Sequence, residues 1–205
     1  MNNRKRADIT FYVAGPIESC TPKRKKEIIE VRERIWEELK KPFVLIYDPI
    51  KMEAKKVGKN SNEQCQYLKG LKQGGHWNKF YEELWKIWFG SIDDTDNVMS
   101  VLQNLRMRKF IDGNYEEEAA CWGDFESVVR SDFIIVHLPK VSTVGTHWEM
   151  LIAALFRIPI YLILPETSKT QSNSTMLFGV EKLSKGEVFY SVGNCIKFIK
   201  ENYKI

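Results

Sequence analysis

Apolar and polar positions along this chain fall into two alternating patterns, one of period two or unbroken runs, the other of helical period. The stretch "DITFYVAGP" carries an apolar, β-branched and aromatic run, Ile9 to Ala14, stopped by Gly15-Pro16, which predicts a buried strand and a turn. Thr21 and Pro22 then supply an N-cap and a first helical residue, and Ile28, Val31, Ile35 and Leu39 recur at helical spacing up to Lys40. Phe43 to Tyr47 predicts a second strand, ended by Asp48-Pro49. Further on, Glu116 to Arg130 predicts a helix, Phe133 to Leu138 a strand, His147 to Phe156 a helix and Ile160 to Leu164 a strand. Val188 to Tyr190 is a shorter strand before a last helix, Val192 to Tyr203. Continuous apolar strands alternating with helices predict an α/β fold, a doubly wound parallel sheet of five strands covered on both faces.

Between about Lys51 and Tyr115 the alternation breaks. The segment is rich in large aromatics ("HWNKFYEELWKIWFG") and then amphipathic ("NVMSVLQNLRMRKF"), which predicts two helices inserted into a single domain of 205 residues. Trp77, Phe80, Leu84 and Trp88 have two readings: rings that dock the insertion on the core, or a lid whose rings meet a flat ligand.

Composition narrows the classes. At 43% hydrophobic and 12% aromatic content the chain can bury a sizeable core. No stretch approaches the roughly 20 apolar residues of a membrane span, and "MNNRKRADI" has charge but no apolar core of a signal peptide, so a cytoplasmic protein without a membrane partner is expected. Cys20, Cys65, Cys121 and Cys195 are far apart and make no ligand set with His76, His137 and His147, so no metal and no cofactor is expected. A formal net charge of +4, gathered in Arg4 to Arg6 and Lys23 to Lys26 without a recognition-helix signature, argues against duplex nucleic acid and is compatible with an anionic small molecule.

In parallel sheets, ligands sit beyond the carboxyl ends of the strands. That rule selects Tyr12 to Ser19 (with Gly15, Pro16 and Ile17), Pro139 to Thr146, and Pro165 onward. Glu149 is then expected in the first turn of the helix leaving the second of these walls, where it is either a capping glutamate or an anion with a chemical task. Gly145 and Thr146 favour the second reading, since a glycine lets a ligand approach the backbone N–H groups. Asp124, in "CWGDFESVV", is either a surface aspartate or a second carboxylate of the site. Two carboxylates meeting at the strand ends divide the work of glycosidic cleavage, one attacking the sugar while the other helps the leaving group. No G-x-S-x-G, P-loop or G-x-G-x-x-G competes, and His137 reads as a packed histidine.

Three blocks, "FYVAGPIES", "GDFESVVRSDFIIVHL" and "TVGTHWEMLIAAL", resemble in order and spacing the signature blocks of the nucleoside 2-deoxyribosyltransferase family, which includes the 2'-deoxynucleoside 5'-phosphate N-hydrolases. The resemblance implies a flavodoxin-like fold, a nucleophilic Glu149 attacking C1' to form a glycosyl-enzyme intermediate, a Tyr12 that orients it, and an Asp124 that contacts the substrate and assists the departing base. It also implies a homodimer or higher homo-oligomer, because "NSTMLFG" resembles the block through which a neighbouring subunit reaches the sugar 5' end. Two positions depart from the transferase pattern: Thr143 stands where the transferases carry aspartate and the hydrolases serine, and Ser174 where the transferases carry asparagine and the hydrolases serine. With the "GPIES" turn these hydroxyls favour a 5'-monophosphate substrate, since a neutral donor faces a phosphate dianion without repulsion. Alternatives are transfer of the deoxyribosyl group between bases, glycohydrolysis of a dinucleotide such as NAD, and a non-catalytic nucleotide sensor.

Overall fold

A computed structural model describes residues 8–16, 22–52, 61–90, 92, 97–107, 122–139, 144–166 and 174–205. Contacts within the chain group it into two compact units, one containing Tyr47–Arg130, the other Ala7–Ile46 with Ser131–Ile205.

The sheet runs through β1 (Ile9–Ala14), β2 (Val44–Tyr47), β3 (Phe133–His137), β4 (Ile160–Ile163) and β5 (Glu187–Phe189). Its order is β2-β1-β3-β4-β5 and all five strands are parallel, the doubly wound arrangement of flavodoxin-like folds. Tyr12 registers with Ile134 and Ala14 with Val136, so β1 and β3 end side by side. Their near-complete burial explains why both read as unbroken apolar runs.

Side chains alternate across the sheet. Phe11, Val13, Phe133 and Ile135 face α1 (Pro22–Leu39) and the C-terminal helix Val192–Tyr203, meeting Ile35 and Leu39 of the first and Cys195, Ile196 and Ile199 of the second. Tyr12 and Ala14 therefore point to the opposite face, which the helix Val144–Leu155 covers by packing on β3 and β4. That helix begins three residues before the expected His147, which places Glu149 in its second turn rather than its first. The early start is tolerated because first-turn N–H groups have no intrahelical acceptor, and a glycine such as Gly145 weakens a helix least there. Glu149 is consequently not an N-terminal capping residue. Ser174–Phe178 is a short helix continued by a π-helical turn at Gly179–Leu183, and that turn packs against the same helix.

The unit containing Tyr47–Arg130 holds α2 (Ser61–Gln73), α3 (Trp77–Phe89), α4 (Val98–Met107) and α5 (Asp124–Arg130). The aromatic and amphipathic stretches form α3 and α4, the two helices expected within 51–115, and among the described residues α2 is a further helix of that range. Leu68 and Leu71 of α2 pack against Phe80, with Tyr67, Leu84 and Ile87 around them. The helix expected over Glu116–Arg130 begins only at Asp124 among the described residues, since Trp122 and Gly123 are not helical. Gly123 lies flat against the end of α3: a Cβ there would sit 2.4 Å from both the Trp88 carbonyl oxygen and the Gly90 nitrogen. Among the described residues no helix is long and apolar enough to cross a membrane.

We number the remaining helices α6 (Val144–Leu155), α7 (Ser174–Phe178) and α8 (Val192–Tyr203).

Candidate active site

Strand order reverses between β1 and β3, and there the connections leave to opposite faces of the sheet, the place beyond whose carboxyl ends parallel sheets take their ligands. Tyr12, third from the end of β1, is fully buried on the α6 face. Its hydroxyl donates to Glu149 Oε1 at 2.6 Å. That length is characteristic of an O–H donor bonded to an ionised acceptor. A buried phenol needs a partner for its hydroxyl, and a half-buried carboxylate needs donors to offset its lost hydration. Each group answers the other's requirement, and the bond fixes which way Glu149 points.

The turn after β1 is held from the other face. Arg32 of α1 is only 3% exposed and donates from Nη1 to the Val13 carbonyl at 3.0 Å and from Nη2 to the Gly15 carbonyl at 3.1 Å. Gly15 has φ +156°, and a Cβ on it would come within 2.8 Å of the His137 carbonyl oxygen, so the ends of β1 and β3 approach as closely as only glycine permits. His137 itself titrates far below an ordinary histidine, from 6.5 down to about 4, first because burial disfavours the charged ring and then because the Arg32 guanidinium repels it. Its buried Nδ1 has no hydrogen-bond partner among the described residues.

Arg32 did not stand out in the sequence. Its signal was its spacing: Ile28, Arg32, Ile35 and Leu39 form one helical stripe, so a cation lies in line with core positions.

Of the other expected residues, Pro16 and Thr146 are buried, and Gly145 is half-exposed with open space where a side chain would be. Ile17, Ser19 and Thr143 lie outside the described residues, and Ser174 is described only as the first residue of α7. Asp124 belongs to the other unit. It is buried, as a surface aspartate would not be, and it opens α5 in a corner of polar contacts. Tyr47 Oη donates to the Trp122 carbonyl at 2.8 Å, and Ser127 Oγ donates to the Gly123 carbonyl at 2.8 Å. Arg130 pairs with the buried Glu126 at 3.0 Å while its guanidinium lies 4.6 Å from the Trp122 ring centre. Among the described residues no group of His, Cys, Asp and Glu is arranged to hold a metal ion.

An ionised carboxylate oriented by a buried phenol, at the switch point of a parallel sheet, can attack an electrophilic carbon or stabilise a cation forming beside it.

No protein-family model and no curated protein matches the chain. Among solved structures, a conserved protein from Enterococcus faecalis V583 is similar with a TM-score of 0.47 and 15% identity, over 95% of this chain and 98% of that one. BcmB, a CMP N-glycosidase of Clostridium botulinum, is similar with a TM-score of 0.31 and 15% identity, over 54% of this chain and 95% of that one. At such scores the chemistry has to be read from this chain's own residues.

Proposed function

We propose that this protein cleaves the N-glycosidic bond of a nucleoside 5'-monophosphate, with a 2'-deoxy sugar, through Glu149 as nucleophile. The observation that carries the proposal is the 2.6 Å hydrogen bond from Tyr12 to Glu149 at the carboxyl edge of the sheet. It supports the reading because the two residues that the sequence blocks single out, far apart in the chain, meet as a donor and an oriented anion.

A Glu149 carboxylate oxygen bonds to C1' through an oxocarbenium-like transition state, and the C1'–N bond breaks with its electron pair going to the base nitrogen. Asp124 assists protonation of that base, and Tyr12 keeps the second carboxylate lone pairs directed at the sugar. Water then adds to C1' while its proton passes to the Asp124 carboxylate, Glu149 leaves as carboxylate, and the products are free base and deoxyribose 5-phosphate. A second base in place of water would return a new nucleotide instead.

The test incubates the protein with each ribo- and deoxyribonucleoside and its 5'-monophosphate, with and without a second free base, and follows base and sugar by chromatography. Release of base from a deoxynucleoside monophosphate, with sugar phosphate in equal amount, is expected. Sugar passed from a free nucleoside to the added base would replace hydrolysis by transfer, and no cleavage of any member would leave a binding protein.

A further inference from the structure

Within the unit that holds Asp124, the end of α3 is fitted against the start of α5. Trp88 stacks on Phe125 with ring centres 5.6 Å apart, and Phe89 meets the same ring edge-on at 5.1 Å. Phe89 is in turn stacked on Trp85 at 4.1 Å, Trp85 Nε1 donates to the Ile92 carbonyl at 2.6 Å, and Gly90 takes φ +60°. The backbone joins in, because Gly123 lies directly on the Trp88 carbonyl and the Gly90 nitrogen. Residues 123 and 125, the immediate neighbours of Asp124, are thus both set by α3. The opposite end of α3 differs: Trp77 is 49% exposed and stacked on the exposed Tyr81.

We propose that the helical insertion serves the reaction as a buttress, in which Trp88 and Phe89 act through Phe125 and Gly123 as positioning residues for Asp124. This rests on the reading of Asp124 as the residue that assists the leaving base. It decides between the two roles open to the insertion's aromatics, docking and lid, by giving docking a consequence for the chemistry. Aromatic pairs contribute orientation beyond the area they bury, and a carboxyl group displaced by about 1 Å can cost on the order of a hundredfold in rate.

The experiment compares Asp124→Asn, Trp88→Ala, Trp88→Phe, Phe125→Leu and Trp77→Ala in the full chain, measuring kcat and KM separately and thermal melting alongside. Phe125→Leu keeps an apolar side chain at α5 while removing the ring that Trp88 and Phe89 contact, so it decides the matter even if Trp88→Ala does not fold. Expected are a severe loss for Asp124→Asn, a kcat lower by about tenfold or more with little change in KM for Trp88→Ala and Phe125→Leu, recovery of most of that loss in Trp88→Phe, and wild-type kinetics for Trp77→Ala. Lower melting with wild-type kcat in Phe125→Leu would overturn the proposal and leave only packing. A raised KM in Trp77→Ala with unchanged kcat would overturn it in favour of a lid. Wild-type rates in Asp124→Asn would instead remove the role assigned to Asp124, and the buttress with it.

Discussion

Tyr12 Oη and Glu149 Oε1 are 2.6 Å apart although their residues are separated by 137 positions in sequence. The contact depends on three things at once: the period of β1 that turns Tyr12 away from the α1 face, the parallel register that sets β1 beside β3, and the start of α6 at Val144 that brings Glu149 round in the second turn. Had α6 begun at His147, Glu149 would lie in the first turn beside the helix terminus, whose influence fades within one turn.

Tyr12→Phe is therefore expected to keep the fold and to slow turnover by about 10- to 100-fold, corresponding to the roughly 1.5–3 kcal/mol of a hydrogen bond to a charged group. Glu149→Gln is expected to lose several orders of magnitude, and adding Tyr12→Phe to it should change little more, because the hydroxyl acts only through the carboxylate. Base release measured for the two single variants and the double variant checks this; independent, additive losses would separate the two residues.

His137 yields a prediction about stability. Its pKa falls from 6.5 to about 4 on folding, so between those values the unfolded chain binds the extra proton and the folded chain does not. Stability from burying the neutral ring is then complete above about pH 6.5 and is lost progressively down to pH 4, by at most about 3 kcal/mol from this group. Urea denaturation across that window should show a shallower slope with pH in His137→Gln than in the wild type. Identical slopes would mean that His137 is not held neutral by its surroundings.

Much of the fold was legible because it is written locally. Ile9–Ala14 and Val192–Tyr203 have the bounds their apolar patterns indicate, since Gly15-Pro16 stops the one and a clear helical stripe defines the other. What escaped was written elsewhere in the chain. Asp124 opens a helix because Gly123 rests on backbone at residues 88 and 90, a contact between segments that no local pattern announces. Ser61–Gln73 has few apolar residues, and its Leu68 and Leu71 make sense as a helix face only once Phe80 is placed opposite. Arg32 looks like one more charge on a charged helix until the Val13 and Gly15 carbonyls are found at its tip.

A homo-oligomer is expected from the resemblance of the Ser174 block to a segment that completes a neighbour's site. Trp148, Leu151 and Leu155 form an exposed stripe on α6, Leu183 is exposed on the π-helical turn that packs against α6, and Phe178 of α7 is exposed as well. Apolar side chains gathered on one face usually have a partner. Sedimentation should give at least a dimer at micromolar concentration, and Leu155→Lys should shift it toward monomer. An active monomer would contradict the expectation.

If Thr143 and Ser174 receive a phosphate together with the turn that starts at Gly15, the monophosphate gains charge-assisted hydrogen bonds far from C1', and that binding energy can be used to hold the sugar for attack by Glu149. A nucleoside 5'-monophosphate should then exceed its nucleoside by about tenfold or more in kcat/KM, the equivalent of roughly 1.4 kcal/mol from a single such bond. Thr143→Asp should reverse part of the preference by setting a carboxylate against the phosphate, while leaving the free nucleoside nearly unaffected. The two substrates compared on wild type and Thr143→Asp separate phosphate recognition from a general loss of activity: a variant that slows both equally would show that residue 143 does not meet the 5' group.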